Sequence, residues 1–229
     1  RLRQDDFPFV LRFIRELHKE LMQNARATHF SDPGEFRKSQ NWIGGTTPST
    51  ATFVPPPPEE LAKALGDLEK FIHTQHFHPT IQAGLLHAQF ETIHPFLDGN
   101  GRTGRLLITF YLIQQKLLEK PVLFLSSYFK KHQKVYYQKL AGYHDGAIAP
   151  WLDFFLDGII ETAEEAIEVS IGVTALREKN LKTIAAFGKS VAVVSTIILQ
   201  HLYQNPIVPT NVVEQWTGYS RPGVIKIID

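Results

Sequence analysis

Two apolar stretches on either side of one glycine-rich turn constrain this chain most. "TIQAGLLHAQFETIH" carries Ile81, Leu85, Ala88 and Ile93 and is apolar on several sides, and "RTGRLLITFYLIQQKLLEK" is similarly apolar. An ordinary surface helix buries one stripe, whereas a helix that is apolar around its girth has to be surrounded. The spacing therefore predicts a central buried helix with a second apolar helix beside it. The first should stop at His94, because Pro95 disfavours helical backbone in the residue before it. The second is expected to run to Pro121.

Other helices supply the surround. "FPFVLRFIRELHKELMQ" places Val10, Phe13, Ile14, Leu17 and Leu21 on one face. "PPPPEELAKALGDLEKFIH" opens on prolines and acids, a good helix start, and repeats Leu61, Leu65, Leu68 and Ile72. "SSYFKKHQKVYYQKLAGY" and "APWLDFFLDGIIETAEEAIEVS" read as two more. Residues 33–58 break the pattern, being rich in Gly, Pro, Ser and Thr with β-formers at Trp42, Ile43, Phe53 and Val54. That composition predicts an irregular β-hairpin or flap. Past about residue 170 a linking helix leads to a helix, short helix, turn and helix. The expected fold class is mainly α. A helical domain over 1–165 carries the hairpin flap, a linker helix spans 166–185, and 186–229 form a truncated winged helix-turn-helix.

Bulk properties narrow the function classes. The net charge is +1, so any anion site must be local rather than a basic surface for nucleic acid. There are no cysteines, which excludes disulfide and thiol chemistry and fits a reducing, cytoplasmic setting. No apolar run is long enough to span a membrane. The sequence opens at Arg1 rather than Met, and so reads as a piece of a longer protein.

The turn itself is "HPFLDGNGRTGR", residues 94–105. D-G and N-G steps make positive φ angles cheap, and successive N–H groups in such a turn converge on an anion. A helix starts at once, adding its unpaired N–H groups and positive dipole end. Arg102 and Arg105 share a face of its first turn. Together these features fit a polyphosphate. Asp98 at the lip would repel it unless a Mg²⁺ lies between, an ion that favours one carboxylate plus phosphate oxygens. His94 supplies a base with an ordinary pKa near 6.5. A base facing a magnesium-bound polyphosphate implies transfer of a phosphorus-containing group to a hydroxyl. An EF-hand is excluded, because position 12 of such a loop is Thr109 where a Glu is needed, and no P-loop motif is present. His73, His76 and His78 lack a zinc-ligand spacing, and His87 reads as a hydrogen-bonded core residue.

The pattern H-x-F-x-[DE]-G-N-G-R-x-x-R is complete here. It resembles the Fic family of nucleotidyl transferases (AMPylators), a likeness extending over "SQNWIGG", "ATFVPPPPEE", "LSSYFKKHQKVYYQKL" and "WLDFFLDGI", roughly residues 7–165. The resemblance implies that His94 takes the proton from a Ser, Thr or Tyr hydroxyl of a target protein. It implies that Asp98 holds Mg²⁺ on ATP, that Gly99, Asn100 and Gly101 form the anion hole, and that Arg102 and Arg105 bind the distal phosphates. Phe96 anchors the loop. By the same resemblance Ile43, Gly44, Gly45 and Phe53 look like the family's target-binding flap, which aligns a substrate backbone by strand addition. Self-modification and a homodimer stay open as further partners.

The same resemblance leaves alternatives: UMP, GMP or phosphocholine as the transferred group, or removal of AMP. Many members carry a restraining helix with [ST]-x-x-x-E-[GN]. "SDPGEF" ends in Phe and "TALREK" in Lys, so neither qualifies, and the helix is expected upstream of Arg1 or from another chain. A DNA-binding role for the C-terminal module is the non-enzymatic alternative. It has only Arg221 and Lys226 on its second helix to touch phosphate, which favours protein contact over DNA.

Overall fold

Helix boundaries in the computed structural model, which describes residues 9–23, 32–74 and 76–228, follow the sequence wherever its local signals are strong. Ser31 of the SDPGEF segment, the stretch before Phe9, and Asp229 lie outside the described residues. The chain divides into two compact units, Arg1–Ala166 and Ile167–Asp229.

In the first unit, α1 spans Leu11–Gln23, α2 Pro58–His73, α3 Pro79–Ile93 and α4 Asn100–Gln114. Next come α5 at Leu125–Lys131, α6 at Gln133–His144 and α7 at Ile148–Ala185, whose second half belongs to the second unit. Helix α3 is the central one, with Leu86, His87, Ala88, Phe90 and Ile93 all fully buried. Helices α2, α4 and α6 pack on it, and α1 packs on α4. Trp151 of α7 closes the far side and donates its indole N–H to Gly84 O at 2.9 Å. Helix α2 begins at Pro58 with Glu59 and Glu60 in its first turn and buries Leu61, Leu65, Leu68 and Ile72.

Three expectations need correction. Helix α4 begins two residues earlier than expected, at Asn100, and ends at Gln114, short of Pro121. Lys116 takes a left-handed φ of 58°, and Leu117 N–H returns to Leu112 O at 3.0 Å, a local C-terminal cap that ends the helix. The single helix expected over 126–143 breaks at His132 into α5 and α6. On α1 the buried set is Phe13, Ile14, His18 and Met22, so His18 and Met22 occupy places expected for Leu17 and Leu21.

Residues 33–57 hold one antiparallel bridge, Ile43 to Phe53, and a short 3₁₀ turn at Pro48–Thr50, with no β-strand among the described residues. In the second unit α8 (Lys189–Leu202), α9 (Thr210–Thr217) and α10 (Arg221–Ile228) share a small core of Val194, Ile198, Val213 and Val224. Among the described residues no helix is long and apolar enough to cross a membrane.

Candidate active site

At the end of α3, His94 donates its N–H to Phe90 O at 2.9 Å and then turns into left-handed backbone, φ 48° and ψ 59°. A non-glycine residue adopts this conformation only when its surroundings hold it there. The holder is Arg37, 3% exposed. Its Nε donates to His94 O at 2.9 Å and Nη2 to Ile93 O at 3.3 Å, two carbonyls that α3 itself leaves unpaired. Nη1 donates to Ser39 O at 3.2 Å, Nη2 also donates to Pro56 O, and the Arg37 N–H donates to Pro95 O at 2.8 Å. One buried guanidinium thus ties both stems of the 39–56 flap to the helix end that presents His94. Asn41 adds a bond from Nδ2 to Phe96 O at 3.0 Å.

The turn that follows is fastened by its own side chains and by α1. Asn100 Oδ1 accepts from Phe96 N at 2.8 Å while its Nδ2 donates to Phe96 O at 2.7 Å. Phe96 is fully buried and stacks on His18, ring centroids 3.7 Å apart and planes 2° from parallel. Gly34 N–H donates to His18 Nδ1 at 2.8 Å, so the proton of this neutral imidazole sits on Nε2, which donates to Asp98 O at 3.0 Å. Burial lowers the His18 pKa, in keeping with that neutral state. Gly99 has φ 80°, and a Cβ there would lie 2.8 Å from Met22 Sδ, so only glycine fits this step.

Those fastenings fix three N–H groups at the start of α4. Asn100, Gly101 and Arg102 form the first turn of α4 and have no acceptor within the helix, while its dipole adds positive potential. Gly99 N–H is engaged by Asp98 Oδ1 at 2.6 Å, and Asp98 Oδ2 lies 3.6 Å from Arg102 Nη2. Asp98 and Arg102 are both partly exposed. One carboxylate beside an anion turn suits a Mg²⁺ carried in by phosphates rather than a cage of protein ligands. Among the described residues no group of three or more His, Asp or Glu is arranged to hold a metal. His78 instead caps α3 through Thr80.

His94, Gly101 and Arg105 face a cavity of about 510 Å³ whose opposite walls are Ile43, Gly44 and Phe53 of the flap and Tyr137, Leu140 and His144 of α6. Phe53 stacks on His144 at 3.6 Å. His94 Nδ1 donates to Glu91 O at 3.3 Å, leaving Nε2 as the nitrogen with the lone pair. Burial pushes the His94 pKa down to about 4, so the ring is a neutral base at pH 7. Glu91, 6% exposed, is pushed up to about 7 by burial, with Arg105 opposing the shift. Beneath it His87 is fully buried, its Nε2 3.0 Å from Tyr136 OH. A larger hollow of about 680 Å³, bounded by Lys63, Asp67 and Phe71, holds none of the motif residues.

The structure therefore brings His94, Gly101 and Arg105 together with Ile43, Gly44 and Phe53 around one cavity, whereas Asp98 and Arg102 are not among its walls. Gly45 is not among the cavity walls. Asn100 commits its side chain to the loop and offers only its backbone. Sequence reasoning missed Arg37, His18, Asn41, Glu91 and His144. Two of these left a signal. His18 stands four residues from both Ile14 and Met22 on a buried face, and Glu91 is the one charged residue of α3.

Residues 8–112 match the family described as Fic/DOC. The "Protein adenylyltransferase Fic" of Aedes aegypti is 33% identical over 160 residues, which are 67% of this chain and 28% of that relative's length. The chain thus spans under a third of the curated relative it matches. Among solved structures, a Fic family protein from Desulfovibrio desulfuricans G20 superposes with a TM-score of 0.64 at 24% identity, covering 97% of this chain and 61% of the other. A Fic domain containing signaling protein from Bacteroides thetaiotaomicron VPI-5482 gives 0.57 at 24% identity, covering 72% and 64%. At these identities the structural likeness speaks for the fold.

Proposed function

Since this chain belongs to the Fic/DOC family, we propose that it transfers AMP from Mg²⁺-ATP to a hydroxyl side chain of a target protein. The observation that carries the reading is the juxtaposition of a neutral imidazole with an open lone pair and an anion-binding helix start, across one cavity. The His94 Nε2 takes the proton of a Ser, Thr or Tyr hydroxyl as its oxygen attacks the α-phosphorus. The bond to the β-phosphate oxygen breaks and pyrophosphate leaves. N–H groups of Asn100, Gly101 and Arg102 stabilise the charge that grows on the α-phosphate. Arg105 and Arg102 hold the distal phosphates, and Asp98 is the residue that would hold Mg²⁺, which supplies charge neutralisation when bound. The apolar side of the cavity, Ile43, Leu140 and Tyr137, accommodates the nucleoside.

The flap bridge at Ile43 and Phe53 leaves a short extended edge on which a target segment can lie, with Gly44 beside it. The second unit is read as the helical half of a winged helix, with protein contact as its role.

Label transfer tests the reaction. The protein is incubated with Mg²⁺ and ATP labelled at the α- or γ-phosphate, with and without lysate, beside His94→Ala. Protein labelled only from α-labelled ATP, and not by the variant, supports AMP transfer with His94 as base. Labelling from the γ-position would overturn the assigned orientation of the nucleotide.

A further inference from the structure

Glu91 is the buried group that the reaction outlined above does not use. Its Oε1 is sealed from solvent and has no hydrogen-bond partner, and its Oε2 lies 3.8 Å from His94 Nδ1, a nitrogen already engaged by the Glu91 carbonyl. The carboxyl reaches α4 only because two positions there are glycine. A Cβ on Gly104 would lie 2.8 Å from Glu91 Oε1, and a Cβ on Gly101 would lie 3.1 Å from Arg105 Nη1 and 3.8 Å from that same Oε1. Arg105 is therefore folded back over the first turn of α4, beside the Tyr136 hydroxyl, with the carboxyl of Glu91 nearby but not in ion-pair contact with it.

Every other charged or titratable group facing Glu91 gives it little help. On its own helix, His87 and His94 are both held neutral by burial, at about 3 and about 4. From α6, the buried Tyr136 hydroxyl is pushed well above its usual value, with the Glu91 charge among the causes. Arg37 and His144 act on His94 beyond it. Arg105 is thus the group that favours ionised Glu91, and it is also the cation placed to meet a polyphosphate.

We propose that Glu91 is a positioning residue for nucleotide binding: ionised, its charge draws Arg105 back toward Gly101 in the empty site without an ion-pair contact, and it takes up a proton when a polyphosphate claims Arg105. The proton comes from solvent, no covalent bond changes, and the carboxyl then sits neutral beneath the occupied site. Nucleotide capture is thereby coupled to proton uptake and weakens as pH rises. The inference rests on reading Arg105 as a polyphosphate ligand.

Titration calorimetry with a non-hydrolysable ATP analogue and Mg²⁺, in buffers of different ionisation enthalpy between pH 7.5 and 8.5, counts the protons directly. The wild-type protein should take up close to one proton per nucleotide and lose affinity by up to about tenfold per pH unit above pH 7. Glu91→Gln should take up none, bind at pH 8 at least as tightly as the wild type, and show a flat profile. Glu91→Asp, which keeps the carboxyl, should restore part of the pH dependence, whereas a role in packing alone would leave all three proteins with the same proton count. Equal proton uptake by wild type and Glu91→Gln, or none by the wild type, overturns the proposal. Arg105→Ala separates the underlying reading: if it binds the analogue as tightly as the wild type, Arg105 is not a phosphate ligand.

Discussion

Replacing Arg37 by Met keeps the length and apolar stem of the side chain but deletes a guanidinium that serves four carbonyl oxygens. Ser39 and Pro56 belong to the flap stems, where a small shift lets water replace the lost donors. Ile93 ends a buried helix and has no such recourse, and His94 O keeps only a long 3.4 Å bond from Asn41 Nδ2. Each buried carbonyl left without a partner costs roughly 1–3 kcal/mol, so the substitution should destabilise the first unit by about 3–5 kcal/mol once the loss of a charged donor is included. Because the chain comprises two compact units, global unfolding alone would blur the result. Urea unfolding is therefore paired with hydrogen exchange at the His94 amide, which reports the Phe90–His94 bond directly. Arg37→Lys retains the charge but can fork to the helix end or to the flap stems, not both, and should fall between. A loss below about 1 kcal/mol with unchanged exchange at His94 would refute the clamp, since a buried group bonded to four carbonyls cannot be removed so cheaply.

Other outcomes follow from the same geometry. Asn100→Ala removes both bonds to the Phe96 peptide and should cost about 2–3 kcal/mol by denaturant unfolding, with nucleotide affinity falling as the turn opens; a near-neutral result would mean the turn is self-supporting. At saturating nucleotide the rate of the proposed AMP transfer should stay level from pH 8 down to about 6, because His94 titrates near 4 and is already a free base across that range; a decline centred on 6.5 in single-turnover rates would contradict the burial argument. Glu91→Gln should match the wild type in stability near pH 4.5 and exceed it by about 2–3 kcal/mol at pH 8. The sign follows from a folded-state pKa raised to about 7, so the stability from keeping the acid neutral is present below 4.5 and is lost as pH rises through 7. Denaturation curves at the two pH values check it.

What was legible in the sequence was local. Pro57, Pro58 and the two glutamates mark the start of α2, Pro95 ends α3, and the D-G and N-G steps mark the turn, because each signal acts within a few residues of itself. The family resemblance rested on the motif at residues 94–105 together with several similar segments over roughly residues 7–165, and the matched family and the superposed folds agree with it. The break at His132 and the early end of α4 at Lys116 were hidden, since neither carries a glycine or proline. The supports of the site were hidden for a different reason. Arg37 reaches a carbonyl 57 positions away and His18 one 80 positions away, and nothing in "GEFRKSQ" or "RELHKEL" announces either partner. Periodicity read α1 as a uniformly apolar face and so passed over the imidazole in its middle.

The stacking of His18 on Phe96 bears on how portable the motif is. Twelve consecutive residues contain most of the chemistry, yet the turn they form is pinned by α1, by the flap stem and by a glycine whose neighbour space is filled by Met22. A peptide of residues 94–105, or the same residues grafted between two helices of an unrelated bundle, would keep the glycines and arginines and lose the orientation of every donor. The loop can reach its working shape only once segments distant in sequence have closed around it.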